Sequence, residues 1–282
     1  MVNPLKCLIP CCFRSDGIEV PVVRLQGMIA ARLSSLKNTQ SLSGCAVVLE
    51  KAFRDKKSPA VALIINSPGG SPVQSRLIFR RIRDLAEENR KHVFVFVEDV
   101  AASGGYMIAC AGDEIYADPS SIIGSIGVVS SSFGFSAFLE KIGVERRVYT
   151  AGKNKALLDP FKPEKKEDVE HLKALQLEIH EIFIAIVKER RHGCLKDNDD
   201  IFSGMFWTGI QGKEMGLVDG LGDIRSVLKT RYGEKTRLRL IPAPRNVFGY
   251  KSASINSNFV SDSVDILSSF LEEWTLRERY GL

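Results

Sequence analysis

The sequence predicts an α/β fold built on a mainly parallel sheet, and three observations carry that expectation. Two continuous apolar runs of strand length, Val61-Ala62-Leu63-Ile64-Ile65 and Val93-Phe94-Val95-Phe96-Val97, suit strands buried on both faces. Each is followed at once by a small-residue turn, at 66–71 and 101–105, that cannot continue a strand. Each turn opens a helical stretch, so strand, turn and helix repeat in the order of a parallel sheet with helical crossovers.

The elements follow in order. Residues 1–17 read as a tail and 18–25 as a strand. Residues 43–54 read as a helix with Ala46, Val47, Leu49 and Phe53 as its apolar stripe. Residues 72–90 form a second helix, with Leu77, Ile78, Ile82 and Leu85 on one side and Arg76, Arg80, Arg83 and Glu87 on the other. A short helix spans 106–111, a short strand 115–117, and a β-branched, Gly-rich extended stretch 124–135. The longest helix is expected over 168–191, where Leu172, Leu175, Ile179, Ile182, Phe183, Ile186 and Val187 recur at helical spacing. Two short helices are expected within 209–231 and a basic strand over 236–241. The domain organisation is therefore a tail (1–17), one domain (18–241), and a C-terminal tail (242–282) with an amphipathic segment over 264–276.

Composition narrows the function classes. The 282 residues are 44% hydrophobic and 26% charged, which is a soluble globular balance. A formal net charge of +5 does not demand nucleic acid, and no nucleic-acid motif accompanies it. No run approaches the roughly 18 apolar residues that span a bilayer. Pro4 and Pro10 interrupt the only apolar run near the start, so no clear signal peptide is read. A cytoplasmic or peripherally membrane-associated place is expected. The six cysteines are scattered rather than arranged as a disulfide framework. Cys7, Cys11 and Cys12 lack the second Cys/His pair that a zinc site needs.

Both glycine-rich turns fall at the carboxyl edge of the sheet, where open α/β folds place their sites. Glycines in Ser67-Pro68-Gly69-Gly70 tolerate the dihedrals that aim backbone amides at one spot. Ser103 stands at a helix start, where free amides favour negative charge. A serine beside converging amides is what acyl transfer needs. The plainer alternative makes the first turn a mere turn and Ser103 a mere N-cap.

Such a nucleophile needs a base. His92 precedes the strand leading to Ser103 and belongs at the opposite edge. His171 and His180 read as surface positions of the long helix, and His192 as a helix-end residue. A lysine can serve when its neutral form is favoured by burial. Lys153 and Lys155, in a Gly-led loop before Ala156-Leu157-Leu158, are both candidates, and the residues alone do not choose between them.

Four segments, INSPGGS (65–71), VEDVAASGGYMIACAGDEIYADPSSIIGSIGV (97–128), AGKNKALLDPF (151–161) and FWTGIQGKEMGLVDGLG (206–222), together resemble the S49 peptidases, the signal peptide peptidase A-like and SohB-type serine proteases. The likeness runs from about residue 18 to about residue 240. It implies the Clp protease and crotonase-like fold, a spiral of βαβ units. It implies a serine endopeptidase with a Ser-Lys dyad and neither metal nor cofactor. Ser103 of AASGG matches the family's nucleophile, and Lys155, closing the Gly-x-x-Lys element begun by Gly152, matches its base. Ser125 matches the serine that holds the lysine amine, and Gly70, with Gly69 beside it, and Gly104 match the oxyanion hole. Lys153 departs from the small, acidic or aromatic residue usual there, and the N-terminal membrane anchor of many members is not seen. The resemblance further implies a peptide substrate, with signal peptide remnants or membrane-associated proteins as its class. It also implies a homo-oligomeric ring, of eight copies, in which serine and lysine come from neighbouring protomers. A non-catalytic peptide-binding scaffold of the same fold and a crotonase-like acyl-CoA enzyme are the alternatives.

Overall fold

The computed structural model describes residues 17–31 and 39–242. In chain order these form β1 (Glu19–Gln26), β2 (Met28–Ile29), β3 (Thr39–Gln40), α1 (Leu42–Phe53), β4 (Ala60–Ser67) and α2 (Pro72–Asn89). There follow β5 (His92–Ala102), α3 (Gly104–Ala109), β6 (Glu114–Ala117), β7 (Ile122–Gly124), α4 (Ser136–Lys141) and α5 (Lys166–Arg190). The last described elements are β8 (Phe206–Thr208), α6 (Gly209–Glu214), β9 (Gly220–Leu221), α7 (Ile224–Tyr232) and β10 (Arg237–Leu240).

The main sheet runs β10-β1-β4-β5-β6-β9, and every one of these pairings is parallel. This is the mixed α/β architecture, with a mostly parallel sheet, of the Clp protease and crotonase-like fold. Double burial of the apolar runs follows from the two-residue period of a strand. Val61, Leu63, Ile65, Val93, Val95 and Val97 face a core shared with α1, α2, α3 and α5. Ala60, Ala62, Phe94 and Phe96 face the opposite side, where Leu228 of α7 covers them.

Two features of this sheet place the functional turns. First, β5 outlasts its neighbour: Phe94–Val97 pair with β6, and Val100–Ala102 pair with β7. Second, β7 is closed on its far side by the antiparallel strand β8, Ile123 opposite Trp207. The small parallel pair β2–β3 braces the first glycine turn, since Ile29 donates its N–H to Gly69 O at 2.8 Å and accepts from Ser71 N at 2.7 Å.

Four expectations change. In α1, Leu49 and Phe53 are buried as expected, but Val47 is exposed and Cys45, Val48 and Ala52 complete the inward stripe. The stretch 124–135 is not one extended strand. Gly124 and Ser125 both take positive φ, 105° and 52°, which turns the chain out of the ladder after β7. From Val129 onward this stretch lies on the surface, with Phe133 78% exposed. The long helix starts two residues earlier than expected, and its apolar stripe is only partly covered. Phe183, Ile186 and Val187 are buried, while Leu175 and Ile182 are exposed. Between the two short helices of 209–231 lies the strand β9, which pairs with β6. The amphipathic segment expected over 264–276 and the three N-terminal cysteines lie outside the described residues.

Candidate active site

Ser103 sits between the last residue of β5 and the first of α3. Its backbone, at φ 51° and ψ −123°, is in a region that a non-glycine residue occupies only under constraint, at a cost of about 1–3 kcal/mol. The constraints are visible. Its N–H donates to Gly124 O at 2.8 Å, prolonging the β5–β7 ladder by one bond. Behind it, Gly104 lies against the buried Ser75 of α2, and Gly105 against Ser67; a Cβ at either would collide. The Ser103 side chain does not cap α3, so the N-cap reading fails. Its hydroxyl makes no hydrogen bond among the described residues, and α3 offers it a bare helix start.

The first glycine turn packs directly onto this elbow. A Cβ on Gly69 would stand 2.8 Å from Ala102 O, Gly104 N and Ser103 Cβ, and its φ is +105°. Gly69 is thus required twice, by conformation and by close approach. Its own amide is engaged: it donates to Ser67 Oγ at 3.2 Å, while Ser67 Oγ donates to Gly27 O at 2.7 Å. The amides of Gly70 and Gly104 make no hydrogen bond among the described residues, and Gly70 is exposed. Its neighbours Gly69 and Ser71 hold β2 through the bridge to Ile29, which leaves the Gly70 N–H turned away from that strand.

Ser125 comes to the same place by register. Gly124 pairs with Ala102, so Ser103 and Ser125 are the next residues on two neighbouring strands. Ser125 is fixed by three hydrogen bonds around it. Its N–H donates to Met205 O at 2.7 Å, its carbonyl accepts from Gly127 N at 3.0 Å, and the carbonyl of Ile126 accepts from His180 Nε2 at 2.9 Å. A carbonyl only accepts, so His180 carries its proton on Nε2. Sequence reasoning left His180 on the surface of the long helix. The missed signal was periodicity: His180 stands three, four and seven residues before Phe183, Ile184 and Val187, on the face that packs inward.

Lys153 and Lys155 are both exposed, in a turn where Lys155 N–H donates to Gly152 O at 3.2 Å. Lys155 forms no side-chain hydrogen bond or ion pair among the described residues, and none joins it to Ser103 or Ser125. The loop belongs to an arm, 128–165, folded on its own small contacts. Phe133 meets Phe135 at a tilt, Phe135 stacks on Phe161, Arg146 lies 4.7 Å over the Phe161 ring, and Phe135 N–H donates to Pro160 O at 2.6 Å. Arg146 also pairs with Asp159 and, with the Phe161 N–H, holds its carboxyl below the usual carboxylate range. The arm encloses a cavity of about 300 Å³ lined by Lys153, Asn154 and Leu158 among others; Lys155 does not line it. The two lysines therefore face different surroundings, a distinction invisible in the sequence.

Other nucleophiles and bases drop out on geometry. Burial pushes the Cys45 and Cys110 thiols up to about 11 and about 12, so neither is a thiolate near neutrality. His92 opens β5 at the far edge, bonded to Glu114 at 2.9 Å. No group of three His, Cys, Asp or Glu side chains able to hold a metal occurs among the described residues.

Comparison with known proteins places these motifs. Residues 86–236 match the model of peptidase family S49. A putative protease of Methanocaldococcus jannaschii is 35% identical over 64% of this chain and 58% of its own length. A putative protease of Synechocystis is 32% identical over 69% of this chain and 72% of its own length. A protein of Brucella abortus named as a Na(+)/H(+) antiporter is 62% identical over 99% of this chain, and a Brucella melitensis counterpart is 61% identical. The chain spans 39% of the length of those two proteins. No helix among the described residues is long and apolar enough to cross a membrane.

Proposed function

Because the chain belongs to peptidase family S49, we propose that it is a serine endopeptidase in which Ser103 is the nucleophile and Lys155 the base. The observation that carries this reading is the strained elbow at Ser103, whose hydroxyl stands at a helix start beside the uncommitted amides of Gly70 and Gly104. A backbone held at φ 51° aims one side chain out of the sheet edge, and the amides supply charge stabilisation where an oxyanion forms.

In the proposed reaction the neutral Lys155 amine takes the Ser103 proton as Oγ attacks a peptide carbonyl. The oxyanion is held by the Gly70 and Gly104 N–H groups. Collapse of the tetrahedral intermediate breaks the C–N bond, and the Lys155 ammonium returns its proton to the leaving amine. Water then hydrolyses the acyl-enzyme by the same path. Gly69, whose amide is held by Ser67, serves by letting the two turns touch. In this proposal Ser125 orients the lysine amine.

Lys155 reaches that position from a neighbouring copy in this proposal. Two observations support a shared site: the lysine loop lies on an arm apart from Ser125, and the arm and α5 expose Val129, Phe133, Phe138, Tyr149, Leu175 and Leu177. Exposed apolar side chains in this number suit contact with another copy. A closed head-to-tail ring, of eight, is the assembly proposed. The substrates proposed are peptides, signal peptide remnants among them; a relative from Enterococcus faecium bears the name putative signal peptide peptidase.

Peptide hydrolysis by the purified chain, with products read by mass spectrometry, tests the reading. Ser103→Ala should abolish cleavage and labelling by a fluorophosphonate while leaving the fold intact. Retention of most activity would sink the serine mechanism.

A further inference from the structure

Helix α5 touches both halves of the site at different points along its length. Near its start, Asp168 Oδ2 accepts the N–H of Leu158 at 3.2 Å. Leu158 ends the lysine loop and takes a positive φ of 53°, uncommon for a leucine, so this bond fixes a constrained turn three residues from Lys155. Twelve residues later His180 holds the carbonyl of Ile126, next to Ser125. At about 1.5 Å rise per residue the two anchor points lie roughly 18 Å apart. The far end of α5 does not slide. Arg190 bonds Cys110 O, Gly112 O and Asp113, and the buried Arg191 pairs with Asp219 at 2.8 Å and 3.0 Å and with Gly216 O.

We infer that α5 is a strut with two positioning residues that serve opposite halves of the site, Asp168 setting the lysine loop and His180 setting the Ser125 loop. This rests on the proposed peptidase reading. One rigid helix then holds the lysine of a chain away from its own serine and presents it at a fixed distance for a neighbour. Neither residue touches substrate. Asp168 acts through Leu158, and His180 acts through Ile126.

The positioning claim is read from steady-state kinetics on a peptide substrate. Asp168→Ala and His180→Leu should each lower kcat about 10- to 100-fold, as expected when a reacting group is displaced by about 1 Å. KM should change less than about threefold, with circular dichroism unchanged. Asp168→Asn keeps an acceptor and His180→Gln keeps a donor, and both should restore most of the rate. Loss of the rate in the conservative variants as well would overturn the claim.

The division between halves is read by mixing variants under conditions of proven subunit exchange. Asp168→Ala should gain activity with Ser103→Ala but not with Lys155→Ala. His180→Leu should gain activity with Lys155→Ala but not with Ser103→Ala. Identical behaviour of the two α5 variants would overturn the division. If Ser103→Ala mixed with Lys155→Ala stays dead, the site lies within one chain and the division fails. The kinetic rescue then decides the positioning claim alone. A wild type that neither cleaves peptides nor reacts with a fluorophosphonate overturns the proposed function and this inference together.

Discussion

The serine half and the lysine arm are built by different means. Around Ser103 the backbone is locked by packing: Gly69, Gly104 and Gly105 each meet neighbouring atoms where a side chain would go. Around Lys155 it is locked by a few local bonds, and a Cβ on Gly152 would meet nothing within 4 Å. Both regions contain residues at positive φ, yet only one gains them from dense surroundings. In the proposed reading, the geometry of the serine half is thus set when the chain folds, whereas the proposed base, Lys155, gains its final surroundings from another surface.

The largest effect that separates the halves is expected at the base itself. Lys155→Ala should lower peptide hydrolysis about 1000-fold or more, since members of a catalytic unit do not act additively. Its melting temperature should not move, because Lys155 is exposed and makes no side-chain hydrogen bond or ion pair among the described residues. Lys153→Ala, on the cavity side of the loop, should keep the rate within about threefold. The reverse pattern would transfer the base to Lys153.

Next in size is a paired glycine test. Gly69→Ala should cut the rate about 100-fold, the order of losing one oxyanion donor, and lower the melting temperature by about 5 °C or more. Gly152→Ala carries a similar φ, +102°, in open space, and should cost only about 1 kcal/mol of backbone strain. Equal losses at the two positions would erase the contrast between packed and open halves.

The smallest effect concerns pH. Asp159 is held below the ordinary carboxylate range, first by the hydrogen bond from Arg146 and then by the Phe161 N–H. A depressed carboxyl contributes order above its unfolded value of about 3.9, and that contribution is lost as the pH falls through the folded value. Protection of the Phe135 and Phe161 amides from hydrogen exchange, taken relative to the intrinsic rate at each pH, should therefore fall on acidification before protection in β4 and β5 does. Arg146→Met should bring the same change at higher pH. Exchange that rises in both regions together would show that the arm has no separate stability.

Much of the serine half could be read from the chain because its signals are local. Apolar runs of five, the glycines after them and AASGG lie within a few residues of what they build. The fork at β5 and the reach of His180 to Ile126 could not be read so. They depend on register between segments, 54 residues apart in the last case. The stretch 124–135 misled for a related reason. Its β-branched composition suits a strand, but two successive positive φ values after Ile123, set by the contacts with Trp207 and Met205, end the ladder.

The fork at β5 has an evolutionary side. Because Phe94–Val97 serve β6 while Val100–Ala102 serve β7, Ser103 follows a short branch of the sheet, β5-β7-β8, that leaves its main path. Ile123 and Trp207 tie that branch to the core, whereas Met205 and Phe206 are exposed beside it. Mutations drifting through the outward positions can reshape what lies next to Ser103 while the inward ones keep the domain folded.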